Sequence, residues 1–162
     1  MRRIAALGLI ALTVLAIDVL IKARVEQWLA PFQQVALIGD GIRLTRAYNT
    51  GVAFGLLREG SVYLLLLTGV LVAGLAVWTV VTVRQAAPGY RAPLALGLLL
   101  GGAVANFGDR MLDGRVTDYL DIGWGAWRWP TFNLADCAIV LGVLLLLMIS
   151  LRQQPPVLTG ES

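Results

Sequence analysis

Apolar residues along this chain gather into four long runs, Ile4 to Ile21, Val62 to Val83, Ala92 to Phe107 and Ala135 to Leu151, with charge and glycine returning between them. Each run approaches the ~20 residues that an α-helix needs to cross a bilayer, so the pattern predicts a bundle of four membrane-spanning helices. Between the first two runs, Val35-Ala36-Leu37-Ile38 passes through Gly39-Asp40-Gly41 into Ile42 to Tyr48, where apolar and polar residues alternate. An Asp-Gly turn between two such stretches signals a β-hairpin, hence a small antiparallel sheet on one membrane face, with a short interfacial helix around Arg24 to Leu29 before it. Gly97 and Gly101, followed by Gly102 and Ala105, give the third helix a small face for close contact. The organisation expected is one integral-membrane domain over 1–152, with polar segments 23–61 and 108–134 on one side and a disordered tail over 153–162.

Composition narrows the class. Of 162 residues, 58% are apolar and 14% charged, and the mean hydropathy is +0.77, which excludes an ordinary soluble domain. There is no histidine and a single cysteine, so Ser-His and Cys-His catalysis, internal disulfides and His- or Cys-based metal sites are all excluded. No cofactor and no metal are expected. A net charge of +3 without a basic cluster does not read as a nucleic-acid surface.

Met1-Arg2-Arg3 ahead of an apolar run also fits a cleaved signal peptide, but no small-x-small site follows, and Asp18 and Lys22 favour a retained helix. Four spans place both termini on one side. Arg2, Arg3, Arg84, Arg91 and Arg152 crowd the short terminal-side flanks, while the other eight of thirteen Lys/Arg are spread over the longer segments opposite. Density therefore favours cytoplasmic termini, although the raw count does not. Trp28, Trp124, Trp127 and Trp129 fall at the outer helix ends and Trp78 near the inner end of the second, as interfacial rings do.

The candidate chemistry lies in polar residues a passive bundle does not need. Asp18 and Lys22, four apart on one helix face, form a structural ion pair, with Lys22 expected to snorkel toward the headgroups. Directly after the third run, Asn106 to Asp121 carries Asp109, Asp113, Asp118 and Asp121, and Asp136 opens the fourth run. Carboxylates at the mouths of adjacent antiparallel helices can meet, and two that meet share a proton, which suits them to act as acid and base in hydrolysis. Spacing does not choose the pair. Plainer roles compete: Asn133 and Asp136 have the spacing of a helix cap and its third-position partner, and Asp109-Arg110 and Asp113 near Arg115 read as local ion pairs. Cys137 lacks an activating base and reads as a small buried apolar residue. Asn49-Thr50-Gly51-Val52-Ala53-Phe54-Gly55 says only that backbone approaches something closely.

At these residues the chain resembles the bacterial lipoprotein (type II) signal peptidases. Four blocks agree in order: Asp18 with Lys22; Asn49-x-Gly51-x-Ala53-Phe54; Gly101-Gly102-Ala103-x-x-Asn106-x-x-Asp109-Arg110 continuing to Gly114-x-Val116-x-Asp118-Tyr119; and Phe132-Asn133-x-Ala135-Asp136. The resemblance implies a multi-pass protein of the bacterial inner membrane with a periplasmic sheet. It implies metal-independent aspartyl cleavage of diacylglyceryl-modified prolipoproteins before the lipidated cysteine. Asp118 and Asp136 match the family's catalytic aspartates, and Asn49, Gly51, Asn106, Asp109, Arg110 and Asn133 become supports around the site. Segments 49–55 and 123–130 are the expected contacts to the lipid, and the partners are the prolipoprotein and membrane lipids, met by a monomer. Val19, Ile21 and Tyr119 depart from the residues usual in the family. A small ion- or proton-coupled transporter would also carry intramembrane Asp and Lys, as would a structural or lipid-binding membrane protein; the large outer body and the lack of a repeat between the helix pairs argue against transport.

Overall fold

The computed structural model of the chain describes residues 1–51, 62–86 and 89–152. Helix α1 (Arg2–Trp28) leads into strands β1 (Gln34–Ile38) and β2 (Ile42–Asn49); helices α2 (Val62–Gln85) and α3 (Arg91–Asp113) follow, then β3 (Val116–Trp124), β4 (Trp127–Arg128) and α4 (Leu134–Arg152). All four predicted spans are helices long and apolar enough to cross a membrane. Their outward side chains, among them Leu9, Leu12, Leu66, Val70, Leu144 and Leu147, are exposed, as lipid-facing surfaces are. The expectations for 52–55 and 153–162 fall outside the described residues.

Helix α3 is the axis on which α1, α2 and α4 each pack. Its small residues set how closely they approach. A Cβ on Gly101 would lie 2.8 Å from the Ala11 carbonyl oxygen of α1, and one on Gly102 would collide with the Ala135 carbonyl of α4. The small face expected from the sequence is thus divided between two neighbours, and backbone contact replaces side-chain filling. At its end, Gly114 adopts the left-handed conformation (φ 70°) and donates its N–H to the Arg110 carbonyl (3.1 Å), closing the helix where an L side chain would be strained.

The hairpin is present, turning at Gly39-Asp40-Gly41, but it is half of a four-stranded antiparallel sheet ordered β1-β2-β3-β4. Strand β3 lies against β2 with Ala47 opposite Asp118 and Asn49 opposite Val116. The chain entering α4 is held to β3 through Tyr119 and Leu120, whose N–H groups both donate to the Phe132 carbonyl (3.0 and 2.8 Å).

Three expectations need correction. Residues 24–28 are helical as the last turns of α1, not as a separate interfacial helix, because neither Gly nor Pro occurs between Gly8 and Pro31 and buried Val25 continues the packed face of α1. Arg46 completes that end by donating Nη1 to the carbonyls of Glu26 and Leu29 (both 3.0 Å). Helix α3 continues through Asp113, which places Asp109 and Arg110 on a helix instead of in a connection. Cys137 is exposed, not buried: it lies on the outer side of α4, while Ala135 and Ala138 take the packed side.

Candidate active site

Asp118 enters the site from β3 and Asp136 from the first turn of α4. Asp118 is 2% exposed. Its Oδ2 accepts from Asn49 Nδ2 (3.1 Å) and its Oδ1 from Asn133 Nδ2 (2.7 Å). Asp136 Oδ2 accepts the Asn133 backbone N–H (3.1 Å), while the Asp136 N–H donates to Asn133 Oδ1 (2.9 Å). That reciprocal pair is a helix cap, so the plainer role read from the sequence is realised. It does not exclude the other, because Asp136 Oδ1 is turned to accept Asn106 Nδ2 (2.8 Å). Asn133 Nδ2 also donates to Asn106 Oδ1 (3.1 Å), and the two carboxylates are therefore joined through the amides of Asn133 and Asn106.

Burial, more than any other factor, raises Asp118 from the usual carboxylate value of 3.8 to about 6; the Asn49 hydrogen bond opposes this, and the charge of Asp136 adds to it. A carboxyl so placed holds a proton far more readily than one in water.

Behind the pair lies a second polar layer. Lys22 Nζ contacts Asp18 Oδ2 (2.5 Å) and Asp109 Oδ2 (2.7 Å) and donates to Asn106 Oδ1 (3.0 Å). The ion pair expected from the i,i+4 spacing is present, but Lys22 is 4% exposed and does not snorkel; three acceptors inside the bundle compensate its burial. Asp109 pairs with Lys22 across helices, not with its neighbour Arg110. Asp18 Oδ1 accepts the Ala135 N–H (3.1 Å), so this layer also fixes the start of α4.

Gly51 and Arg110 flank the pair. The Gly51 N–H donates to Asn49 Oδ1 (2.8 Å), which turns the Asn49 amide so that its nitrogen faces Asp118. Gly51 has φ 81°, and a Cβ there would lie 2.8 Å from Leu64 Cδ2 and 3.5 Å from Arg110 Nε. Arg110 Nη1 reaches the Asn106 carbonyl (3.3 Å), whereas its buried Nε has no hydrogen-bond partner among the described residues. Asp18, Lys22, Asn49, Gly51, Asn106, Asp109, Arg110, Asp118, Asn133 and Asp136 thus fall in one contiguous cluster, whereas Asp121 is paired with Arg128 (2.8 Å) outside it and Asp113 is exposed at the end of α3.

Two contributors had no local signal. Tyr119 Oη accepts the Leu134 N–H at the start of α4 (2.9 Å), and Thr117 Oγ1 donates to Glu26 Oε1 (2.5 Å). The first was visible only as a departure from the family's usual Phe. The second joins residues 91 positions apart, beyond any periodicity.

The sequence profile of the family described as Signal peptidase (SPase) II matches residues 10–152. The chain belongs to the signal peptidase II family. Lipoprotein signal peptidases similar to it include that of Brevibacillus brevis, 37% identical over 86% of this chain and 91% of that protein. The Mycobacterium tuberculosis protein is 37% identical over 93% of this chain and 73% of its own length, and the Pseudomonas aeruginosa protein 35% identical over 90% and 87%. A bacterial membrane enzyme structure solved at 2.3 Å resolution superposes with a TM-score of 0.81 at 26% identity, covering 98% of this chain and 95% of that one. A second, at 1.9 Å, gives 0.79 at 27% identity over 93% and 96%. Membership makes the protein an aspartic-type signal peptidase II, a multi-pass bacterial membrane protein, and takes the place of the transport reading.

Proposed function

We propose that the chain removes signal peptides from diacylglyceryl-modified prolipoproteins, cutting before the lipidated cysteine, with Asp118 and Asp136 as the catalytic pair. The observation that carries this is the single side-chain amide of Asn133, which donates to Asp118 Oδ1 (2.7 Å) while its oxygen and backbone N–H hold Asp136 (2.9 and 3.1 Å). One residue thereby sets the relative position of two acids in different environments, which is how acid and base roles separate.

Of the pair, Asp118 is assigned the shared proton, because its burial and the charge of Asp136 both raise its pKa. Ionised Asp136 takes a proton from water, the resulting hydroxide adds to the scissile carbonyl carbon, and Asp118 gives its proton to the carbonyl oxygen. Collapse of the tetrahedral intermediate breaks the C–N bond as Asp136 returns its proton to the leaving amine; the oxygen's proton goes back to Asp118. Asn49, Asn106 and Asn133 orient the pair, and Arg110 Nε, a buried donor beside Gly51 with no partner among the described residues, is placed to donate to a substrate carbonyl. Asp109 acts through Lys22, holding Asn106.

The proposed orientation puts both termini in the cytoplasm and the site near the periplasmic face. Trp124, Trp127 and Trp129 are all strongly exposed and suit the headgroup layer, where contacts from 123–130 would meet the lipid. The membrane domain over residues 1–152 is proposed to act as a monomer. A lipid on the residue after the cut fixes the depth of the scissile bond and turns encounter into positioned attack. Cleavage of a lipidated precursor is therefore expected, with almost none of the same precursor lacking lipid. Equal rates on the two would show a site that reads peptide alone.

A further inference from the structure

At the end of the bundle remote from Asp118 and Asp136, α2 and α4 both pack on α3 but not on each other. The gap opens into a cavity of about 870 Å³ lined by Thr82, Gln85, Tyr90, Arg91, Leu146 and Arg152, among others. It shares Arg91, Ile149 and Arg152 with a second groove of about 190 Å³, whose other walls are the apolar Leu94, Leu145 and Met148. The combined space is lined by Arg91 and Arg152, the first residue of α3 and the last of α4, and by the apolar Leu94, Leu145 and Met148 further along the same helices.

Its charge has one sign. Every described carboxylate, from Asp18 to Asp136, belongs to the other part of the molecule, and neither Arg91 nor Arg152 is in an ion pair among the described residues. No side chain caps the N terminus of α3, where Arg91 is the first residue, so the positive end of that helix adds to the guanidinium groups. Arg3, by contrast, is already engaged, donating Nη2 to the Ala86 carbonyl (3.0 Å). A free inorganic anion would use the arginines and leave the apolar walls without purpose, whereas a phospholipid uses both.

We propose that this cleft binds one anionic phospholipid, its phosphate between Arg91 and Arg152 and an acyl chain along Leu94, Leu145 and Met148. Basic recesses between helix ends at a membrane surface recognise acidic headgroups in this way. The lipid would brace α2 against α4, whose described backbones each pack on α3 and not closely on each other.

Binding of phosphatidylglycerol to the full-length protein in neutral detergent, followed by native mass spectrometry and by thermal unfolding, tests the proposal. Phosphatidylcholine with the same acyl chains and inorganic phosphate are the comparison ligands. A saturable bound phosphatidylglycerol that raises Tm is expected, with neither comparison ligand reproducing it. Arg91→Gln with Arg152→Gln should weaken it by on the order of tenfold. Arg91→Lys with Arg152→Lys should keep part of it, and Arg84→Gln, on the same end but outside the cleft, should change nothing. Ile149→Trp fills the shared wall without altering charge and should also weaken binding, which keeps the test decisive if the double Gln variant does not elute as a folded protein. Equal binding of the two lipids, or equal loss in Arg84→Gln, would reduce the effect to general surface charge and overturn the proposal. So would stabilisation by phosphate alone, which would make the site one for a free anion.

Discussion

Helices α2 and α3 are of nearly equal length, 24 and 23 residues, and they do opposite work. Among its described side chains α2 fully buries only Thr79 and Val83, the rest being half-buried or exposed. Helix α3 buries eight residues, from Pro93 to Asn106, with glycine and alanine where α1 and α4 press on it. It is also the least hydrophobic of the four spans. The difference teaches that in this bundle apolar character measures contact with lipid, whereas small and polar residues mark contact with protein and, at one end, the chemistry. A span that scores worst as a membrane helix is the one around which the site is assembled.

The sharpest way to break that contrast is at the charged layer behind α3. Lys22→Met removes the cation shared by Asp18 and Asp109 and leaves two carboxylates facing each other in the bundle. Breaking such a buried group should destabilise the protein by about 3–5 kcal/mol, read as a fall in thermal stability in detergent and, with Asn106 released, a loss of turnover. A smaller change sharpens the comparison directly. Gly102→Val drives a side chain into the Ala135 carbonyl and Ile139 of α4, whereas the Cβ of Gly74→Ala on α2 meets nothing within 4 Å. The first should cost at least about 1–3 kcal/mol, and the second should stay within roughly 0.5 kcal/mol of the parent. Equal effects would mean that α3 does not hold the axial place described.

The helices, the hairpin and the small face of α3 were legible because each rests on a local pattern. Strand β3 was not. Val116, Thr117, Asp118 and Tyr119 are all buried, so the alternation that marks a half-exposed strand is missing there, and with it the main clue that Asp118 sits beside Asn49. The cap formed by Asn133 and Asp136 was readable from spacing three apart, but its second role depends on Asn106, which arrives from another helix. Likewise the i,i+4 spacing shows Lys22 meeting Asp18, while Asp109 joins them only through the packing of α3 on α1. Spacing named the carboxylates, family resemblance chose two of them, and tertiary contact explains why those two differ from Asp113.

A further expected effect concerns pH. Asp118 moves from 3.8 to about 6 on folding, so between those values the folded protein holds a proton that the unfolded chain has released. Stability contributed by that proton is complete below pH 3.8 and declines as pH rises through about 6. Relative to Asp118→Asn, which cannot ionise, the parent should therefore lose thermal stability over this interval and change little above it. A difference between the two that does not vary with pH would place Asp118 in a far more polar setting.

The claim on which the account depends is that Asp118 and Asp136 act together, and it is tested most directly by turnover of a lipidated precursor by Asp118→Asn, Asp136→Asn and Asp113→Asn, each purified as a folded membrane protein. Loss of measurable cleavage is predicted for either of the first two alone, since each change removes half of a proton-sharing pair, and near-parental cleavage is predicted for Asp113→Asn, whose side chain stands exposed at the end of α3. Sustained turnover by Asp136→Asn would reduce that residue to the helix cap it also forms and would contradict the account.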